Sequence, residues 1–437
     1  MLFRQFVDDD LGCASYLVGD PDAGVAVLVD PAYAIEQYLD AAAVEGVRIV
    51  RVLETHTHAD HLSGHGRLAL EQGVPVSVHP LAEAEYPHDA LTDREELAIG
   101  AVTIRVIHTP GHRPEHCAFA VGDEVVLTGD SLFVGDTARP DLAVGAVEGA
   151  KGLFHSLRRL AELPDRFGVY PGHVAGSLCG GSMSSERSST IGTERQANES
   201  FGLSSVADFV ARSSSNPTPR PANMQRLVAL NRGQFLGASD PLRATEWEPG
   251  LTILDVRTVA EHLAGHVPRA LNVPVDGGSF ATKAGFVLSA DERIAFDAAS
   301  PEDAERAARG LRSVGLLELA GPLVDPRRVE TTEPVPVARL DSLLAAGEME
   351  VVDVREIDER DQGYIPGTRH VPYRLMRKFS EELASGEKPL VTLCESGSRA
   401  AIAASVLRAA GIDARPVVDG GIADWPGTTV GFRRCGA

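Results

Sequence analysis

The sequence predicts an α/β protein in which strands and helices alternate, and three of its features carry that prediction. Apolar runs rich in β-branched residues, such as 48–53, have the length and composition of buried strands. Stretches with apolar residues at helical spacing lie between such runs, as at 147–163. Residues 236–437 contain two copies of one strand and helix pattern. Layered α/β domains are therefore expected along the whole chain.

The elements of the first half are separated by Gly, Pro and polar breaks. In chain order they are a hairpin of 13–17 and 25–30, a helix over 34–45, a strand over 48–53, a helix over 64–72, a strand over 74–78, two or three strands within 102–127, a helix over 147–163 and a strand over 167–170. A loop rich in Gly and Ser follows at 176–193, and 213–221 is rich in Pro and Ser. We interpret this last segment as a linker or an extended strap.

A cluster of metal-ligand residues follows the strand at 48–53. Residues 55–61 read THTHADH and contribute His56, His58, Asp60 and His61. On a loop at the end of a strand these side chains can converge, which a single helix or strand does not allow. Three further residues of the same kind each follow an apolar run, and they are His112, Asp130 and His173. Four strand ends that offer imidazole and carboxylate groups predict a metal site.

The ordered motifs THTHADH, TPGH, TGD and PGH resemble those of the metallo-β-lactamase superfamily, and the resemblance covers about the first 230 residues. It implies an αββα sandwich with the metal between the edges of two sheets. In the two-metal hydrolases of this superfamily, one metal's ligands match His56, His58 and His112, the other's match Asp60, His61 and His173, and Asp130 bridges. In its persulfide dioxygenases, a single iron is held at the positions of His56, His112 and Asp130, an arrangement that suits non-haem Fe(II). The ligand set alone fits both classes.

The composition limits the domain number and the partners. At about 150 residues per domain, 437 residues allow about three domains. The formal net charge of −21 argues against nucleic acid and anionic membranes as partners. No apolar run has the length of a membrane span and no signal peptide is recognisable, so we expect a cytoplasmic protein. The five cysteines are scattered, which argues against a disulfide framework.

The second half of the chain is a tandem repeat. The run 254–257, LDVR, with GHVP at 265–268, is matched by VDVR at 352–355 with GYIP at 363–366. Both copies resemble the rhodanese family through these signatures. We therefore expect a metal domain over 1–235, an inactive rhodanese-like domain over 236–328 and a rhodanese domain over 329–437.

The second copy carries a candidate nucleophile. Cys394 follows an apolar strand and precedes Glu395, Ser396, Gly397, Ser398 and Arg399, with a helix after them. A thiolate here lies in the positive field of a helix N-terminus, beside backbone amides and an arginine that can cradle an anion or a persulfide. Cysteine phosphatases use a comparable loop, but six residues is the length associated with sulfurtransferases. The corresponding stretch of the first copy, 296–303, contains neither cysteine nor arginine, so that copy cannot carry sulfur covalently.

A metal domain that suits Fe(II), joined to a domain that carries persulfide, resembles persulfide dioxygenase–rhodanese fusions. This resemblance implies one Fe(II) per chain, ligated by His56, His112 and Asp130, and oxidation of a low-molecular-weight persulfide of the glutathione or coenzyme A type by oxygen to sulfite. Cys394 and Arg399 would then transfer sulfane sulfur, giving thiosulfate, as part of hydrogen sulfide metabolism. The other four metal-site residues would bind substrate or support the ligands.

Two further residues are candidates for substrate contacts. Arg139 follows the Asp130 motif and could hold an anionic substrate, although a surface ion pair explains it equally well. Cys179 lies six residues after His173, either at the mouth of the site or as an idle thiol. Two other functions stay open, a two-zinc thioester hydrolase of the glyoxalase II kind and a metal-dependent sensor whose rhodanese repeats dock partner proteins. The sequence does not decide whether the chain forms a homo-oligomer.

Overall fold

The computed structural model describes residues 1–174, 184–213, 219–386 and 388–431. The chain divides into two compact units, Met1–Ser239 with Arg312–Gly315, and Asp240–Leu311 with Leu316–Ala437. Both units are α/β, as predicted. Within the described ranges, no helix has both the length and the apolar character that crossing a membrane requires.

The first unit contains two six-stranded sheets, whose strand orders are β1-β2-β3-β4-β5-β6 and β12-β11-β10-β9-β8-β7. The elements of the first sheet and its helices are β1 (Leu2–Val7), β2 (Ala14–Asp20), β3 (Val25–Val29), α1 (Glu36–Val44), β4 (Arg48–Leu53), α2 (His65–Gln72), β5 (Val76–Val78) and β6 (Asp89–Ala90). Those of the second sheet are β7 (Glu96–Ile99), β8 (Val102–His108), β9 (Cys117–Val121), β10 (Val125–Gly129), α3 (Ala146–Leu160), β11 (Gly168–Pro171) and β12 (Ser189–Thr190). Four helices follow, α4 (Ile191–Ala197), α5 (Glu199–Gly202), α6 (Val206–Ser213) and α7 (Met224–Arg232).

The apolar core shows how these layers pack. One cluster joins the facing surfaces of the two sheets and includes Val27, Leu53, Ile104 and Phe119. A second cluster packs α1 and α2 against the outer face of the first sheet, and a third packs α3 and α6 against the outer face of the second. The unit is therefore a helix, sheet, sheet, helix sandwich, as the motif resemblance implied.

Strand pairing brings distant parts of this unit to one edge. β10 pairs in parallel with β11, so the segments after them, which carry Asp130 and His173, leave the sheet side by side. β3 pairs in parallel with β4, which brings Asp30 beside the start of the THTHADH loop. Parallel strands expose the groups at their carboxyl ends along one edge, and the metal-site residues therefore meet there.

The second unit contains two four-stranded parallel sheets of the same design, with strand orders β14-β13-β15-β16 and β18-β17-β19-β20. The elements of the first repeat are β13 (Leu251–Asp255), α8 (Val259–Ala264), β14 (Leu271–Asn272), α9 (Phe280–Val287), β15 (Arg293–Asp297), α10 (Pro301–Ser313) and β16 (Leu319–Pro322). Those of the second are α11 (Leu340–Ala346), β17 (Glu350–Asp353), α12 (Ile357–Gln362), β18 (Arg369–His370), α13 (Met376–Ala384), β19 (Leu390–Leu393), α14 (Ser398–Ala409) and β20 (Ala414–Pro416). The matching strand orders agree with the internal repeat in the sequence.

Candidate metal centre and cysteine loop

Three buried side chains from three strand ends face one another at the sheet edge. His56, His112 and Asp130 each offer one ligand atom, and these atoms all lie within 4.8 Å of one another. The Oδ2 atom of Asp130 is 3.6 Å from Nε2 of His112 and 4.0 Å from Nε2 of His56. No side chain of this trio is more than 1% exposed. The residues predicted as iron ligands therefore form one compact donor set.

Hydrogen bonds fix which nitrogen of each imidazole faces the centre of this set. Nδ1 of His112 is 3.0 Å from the backbone carbonyl oxygen of Arg139, which can only accept, so this nitrogen carries the proton. The hydroxyl of Thr55 donates to Asp30 at 2.7 Å and therefore accepts from Nδ1 of His56 at 2.8 Å. In both neutral rings the Nε2 lone pair is left facing Asp130, as a metal ligand requires.

The donor set fits a divalent metal ion. Within the described part of the chain, Nε2 of His56 and Oδ2 of Asp130 are buried and have no hydrogen-bond partner. Burial and the neighbouring His58 and His112 hold the pKa of His56 well below its ordinary value, so its lone pair is available. Leaving such atoms unpaired costs roughly 1–3 kcal/mol each. A cation bound by two neutral imidazoles and one carboxylate removes this cost.

The second carboxylate oxygen of Asp130, Oδ1, takes part in another set of contacts. Nδ1 of His173 is 2.8 Å from Oδ1 of Asp130, and its Nε2 is 2.7 Å from Oδ2 of Asp60. Burial disfavours a charged imidazole, but the two carboxylates outweigh it and raise the pKa of His173 to about 10. His173 therefore lies between two carboxylates, each within hydrogen-bonding distance of one of its ring nitrogens.

His58 lies beside His56 but places its Nε2 near two carboxylates outside the three-residue donor set. Its Nε2 is 3.1 Å from Glu54 and 3.4 Å from Asp30, and both carboxylates are buried. His58 is also part of a second cluster with Asp60 and His61, whose ligand atoms lie within 4.8 Å of one another. All seven residues of the predicted metal site thus meet at one edge, in two adjoining groups.

Residues outside the predicted set hold this arrangement. His116 is fully buried, and its Nε2 accepts the backbone N–H of Asp130 at 2.9 Å. Burial and the neighbouring His112 lower the pKa of His116 to about 3, so the ring is a neutral acceptor. Gly129 has φ +49°, and a Cβ there would lie 2.6 Å from His116 Nε2, so this close approach requires glycine.

The side-chain amide of Asn231, on α7, makes hydrogen bonds to the backbone of the ligand loop. Its Nδ2 donates to the backbone carbonyls of His58 at 2.9 Å and of His61 at 2.8 Å. Its Oδ1 accepts the N–H of Ser63 at 2.9 Å. No local sequence signal marks Asn231, because its partners lie about 170 residues earlier in the chain.

The two predicted substrate contacts outside the ligand set are placed differently. The guanidinium of Arg139 donates to both carboxylate oxygens of Asp141 at 2.7 and 2.9 Å and to the carbonyl of Pro219 at 2.7 Å. Its contact with the metal site in this structure is through its backbone carbonyl, on His112. A substrate contact of its side chain stays a prediction. Cys179 lies outside the described residues.

The thiol of Cys394 lies at the N-terminus of α14. The backbone N–H of Gly397 donates to its Sγ at 3.1 Å, and Cys394 is 1% exposed. Gly397 has φ +92°, and a Cβ there would lie 2.8 Å from the backbone of Val418, so the loop depends on glycine at this position. The loop from Glu395 to Ser398 thus wraps the sulfur, and an N–H group points at it.

The two arginines of this site are already paired with carboxylates. Arg399 donates to both oxygens of Glu359, at 2.5 and 2.6 Å. Arg355 donates to both oxygens of Asp353, at 3.1 and 2.9 Å, and is also 3.3 Å from Glu395. The sequence indicated the arginine of the loop but not its acidic partner, which is 40 residues away.

In the first repeat, an alanine stands in place of this cysteine. Asp255 pairs with Asp297 across the sheet as Asp353 pairs with Leu393, so Ala298 is the equivalent of Cys394. The buried carboxylate of Asp297 accepts hydrogen bonds from Arg328 at 2.7 and 3.0 Å. The loop that follows Asp297 therefore begins beside an ion pair with Arg328 and contains no thiol.

Comparisons with known proteins agree with both halves of this description. Residues 8–173 match the metallo-beta-lactamase superfamily, and residues 336–427 match the rhodanese-like domain. The mitochondrial persulfide dioxygenase ETHE1 of Bos taurus is 29% identical over 236 residues, which cover 53% of this chain and 87% of the relative. A probable metallo-hydrolase of Burkholderia pseudomallei is 30% identical over 215 residues, covering 40% of this chain and 72% of the relative.

The solved structures include a close overall match. The crystal structure of a metallo-beta-lactamase from Staphylococcus aureus superposes with a TM-score of 0.68 at 29% identity and covers 74% of this chain and 98% of that one. Fold, donor set and sequence matches lead to the same assignment. The chain belongs to the metallo-beta-lactamase superfamily and carries a rhodanese-like domain after its metal domain.

Proposed function

We propose that the chain is a cytoplasmic, Fe(II)-dependent persulfide dioxygenase with an attached sulfurtransferase. The segment 1–235 oxidises a low-molecular-weight persulfide, of the glutathione or coenzyme A type, with oxygen to sulfite. The segment 329–437 carries sulfane sulfur on Cys394 and passes it to sulfite, giving thiosulfate. The segment 236–328 is a catalytically silent repeat. The overall role is the oxidation of sulfane sulfur in hydrogen sulfide metabolism.

One observation carries this proposal, namely that His56, His112 and Asp130 form one compact donor set. His58 faces Glu54 and Asp30 instead, and His173 is bonded by two carboxylates. Two imidazoles and one carboxylate on one side of a metal leave open positions for substrate and oxygen, which suits a non-haem Fe(II) centre. The similarity to a persulfide dioxygenase and the rhodanese-like domain support the same chemistry.

When bound by His56, His112 and Asp130, Fe(II) supplies the redox chemistry that allows oxygen and persulfide to react. The chain's own groups orient this set, since Thr55 and the carbonyl of Arg139 hold the two rings with their Nε2 atoms inward. The burial of the ligands excludes bulk water from them. Overall, one persulfide, one oxygen and one water give one thiol, one sulfite and two protons.

The proposal is tested by metal and oxygen analysis of anaerobically purified protein. We expect one iron per chain and oxygen uptake only after glutathione persulfide is added. His112→Ala and Asp130→Ala each remove a ligand, so bound iron should be lost and uptake should fall by more than about a hundredfold. His155→Ala, an exposed imidazole on α3, is the matched control and should leave both unchanged. Full iron content and rate in either ligand variant contradict the assignment.

A second candidate function is a two-zinc thioester hydrolase of the glyoxalase II kind. The cluster of His58, Asp60 and His61 favours it, because these groups could hold a second metal beside the first. The similarity to a metallo-hydrolase agrees with it. Two zinc ions per chain, rapid cleavage of a glutathione thioester and no oxygen uptake establish this alternative and exclude the dioxygenase.

A further inference from the structure

The charges around Cys394 bear on which sulfur donors this loop accepts. Arg355 and Arg399 lie at the loop, and their side chains contact the carboxylates of Asp353, Glu359 and Glu395. Two positive charges therefore face three negative ones within this group, before any charge on the thiol is counted. The backbone amides of the loop can bind an anion, but the charged side chains around it carry a net negative charge.

The pair of Arg399 and Glu359 is the central part of this balance. Both terminal nitrogens of Arg399 are used by the two oxygens of Glu359, and the side chains are only 22% and 35% exposed. Burial alone would raise the pKa of Glu359, but Arg399 outweighs it and holds this pKa below its ordinary value. Glu359 is therefore ionised at neutral pH and neutralises the arginine that an incoming anion would otherwise meet.

Glu395 acts at the mouth of the same loop. It directly follows Cys394, its side chain is 48% exposed, and it lies 3.3 Å from Arg355, whose side chain is 3% exposed. The exposed negative charge thus lies on the solvent side of the buried positive one. The carboxylate that follows Cys394 in the chain is thus accessible to an incoming anion, whereas the side chain of Arg355 is buried.

Two kinds of sulfur donor respond differently to such an environment. In both reactions the Cys394 thiolate attacks the outer sulfur, a new S–S bond to Sγ forms and the donor's own S–S bond breaks. Thiosulfate brings two negative charges to the loop and leaves as sulfite, which carries the same two charges past Glu359 and Glu395. A persulfide on a thiol carrier releases a thiolate with one charge on sulfur, and the carrier's other charges lie away from the loop. Repulsion between like charges therefore slows the first reaction more than the second.

We propose that Glu359 and Glu395 are specificity-determining residues that make Cys394 take up sulfur from thiol-borne persulfides in preference to thiosulfate. This rests on the proposed transfer function of Cys394 and names its donor class. Transfer of sulfur from the Cys394 persulfide to sulfite is the reverse of its uptake from thiosulfate and passes through the same transition state. The same two carboxylates therefore also slow the formation of thiosulfate. The proportion of sulfite released without a second sulfur is set in part by these residues.

The test measures single-turnover uptake of sulfur by the full-length protein, without oxygen so that the metal centre stays idle. Glutathione persulfide and thiosulfate are the two donors, and peptide mass analysis after rapid quenching follows the persulfide on Cys394. We expect Glu359→Gln to raise uptake from thiosulfate about tenfold, the size of effect that one nearby charge has close to a protein surface. Uptake from glutathione persulfide should change less than about threefold. Glu395→Gln should act in the same direction and, being exposed, should not disturb folding.

Glu382→Gln is the matched control. Glu382 is an exposed carboxylate on α13 of the same repeat, paired with Arg369 rather than with the loop. It removes the same formal charge from the chain, so it should leave the preference between the donors unchanged. If it shifts the preference as much as Glu359→Gln does, overall charge is the cause and the assignment to these two residues is wrong.

Two other results overturn the proposal. Wild-type protein that takes up sulfur from thiosulfate as fast as from glutathione persulfide has no such preference. A Glu359→Gln variant that slows both donors equally assigns Glu359 to holding Arg399 in place. Wild-type protein that takes up sulfur from neither donor instead overturns the transfer function of Cys394 itself, and the selectivity with it.

Discussion

Replacing Asn231 with Ala tests whether the ligand loop is held by the amide on α7. The variant loses three hydrogen bonds, to the carbonyls of His58 and His61 and from the N–H of Ser63. At about 1 kcal/mol for each bond, the loop should become about 3 kcal/mol easier to open. Amide hydrogen exchange in a peptide covering 54–65 should then be about a hundredfold faster, since 1.4 kcal/mol corresponds to a factor of ten.

The same variant should bind Fe(II) at least tenfold more weakly, because His56 lies on the loosened loop. Asn198→Ala provides the control, since Asn198 is also buried and also makes three hydrogen bonds, to Asp136, Glu194 and Ser200. It should loosen its own surroundings to a similar degree without weakening iron binding. Equal losses of iron affinity in the two variants, or none in Asn231→Ala, refute the reasoning.

Two more predictions concern the second unit. Cys394→Ser should still consume oxygen with glutathione persulfide but release sulfite instead of thiosulfate, which thiol-labelling chromatography can follow. The variant should also lose all transfer of sulfur to cyanide, because the first repeat has Ala298 at the equivalent position. Residual transfer would assign a nucleophile to that repeat. Asp255→Asn should destabilise the first repeat at neutral pH, since hydrogen bonds from His262 and Arg257 outweigh burial and lower the pKa of Asp255. Because its pKa is lowered in the folded state, ionised Asp255 stabilises the folded protein above the ordinary carboxyl range near pH 4, and this stabilisation is lost in more acidic solution. The difference in free energy of unfolding between wild type and variant, measured with denaturant, should therefore narrow as the pH falls. A difference that stays constant contradicts this cause.

The residues that the sequence made recognisable share a local signal. His56, His112, Asp130 and His173 each follow an apolar run, and a strand end is where an α/β fold collects functional groups. The helix, sheet, sheet, helix packing and the repeated design of the second unit were likewise predictable, because motif order and internal repetition are written along the chain.

What the sequence did not reveal depends on contacts between distant segments. Strand β1 has only partly buried residues after Leu2, so its apolar pattern is weak. Helix α7 follows a Pro-rich stretch with the composition of a linker or strap, and this composition gives no sign of Asn231. Arg399 was recognisable as an arginine beside a cysteine, but the carboxylate of Glu359 that neutralises it comes from another helix. Such partners are fixed by the packing of the fold and have no counterpart in local residue patterns.

The two imidazoles of the donor set are held by groups of different kinds, and this gives the two supporting positions different tolerance to mutation. His112 is held by the main-chain carbonyl at position 139, which every amino acid possesses, so this hydrogen bond does not require a particular side chain. His56 is held by the hydroxyl of Thr55, which only a few residue types could replace. A substitution of Thr55 therefore removes the acceptor that orients His56, whereas a substitution at position 139 keeps the acceptor group that orients His112.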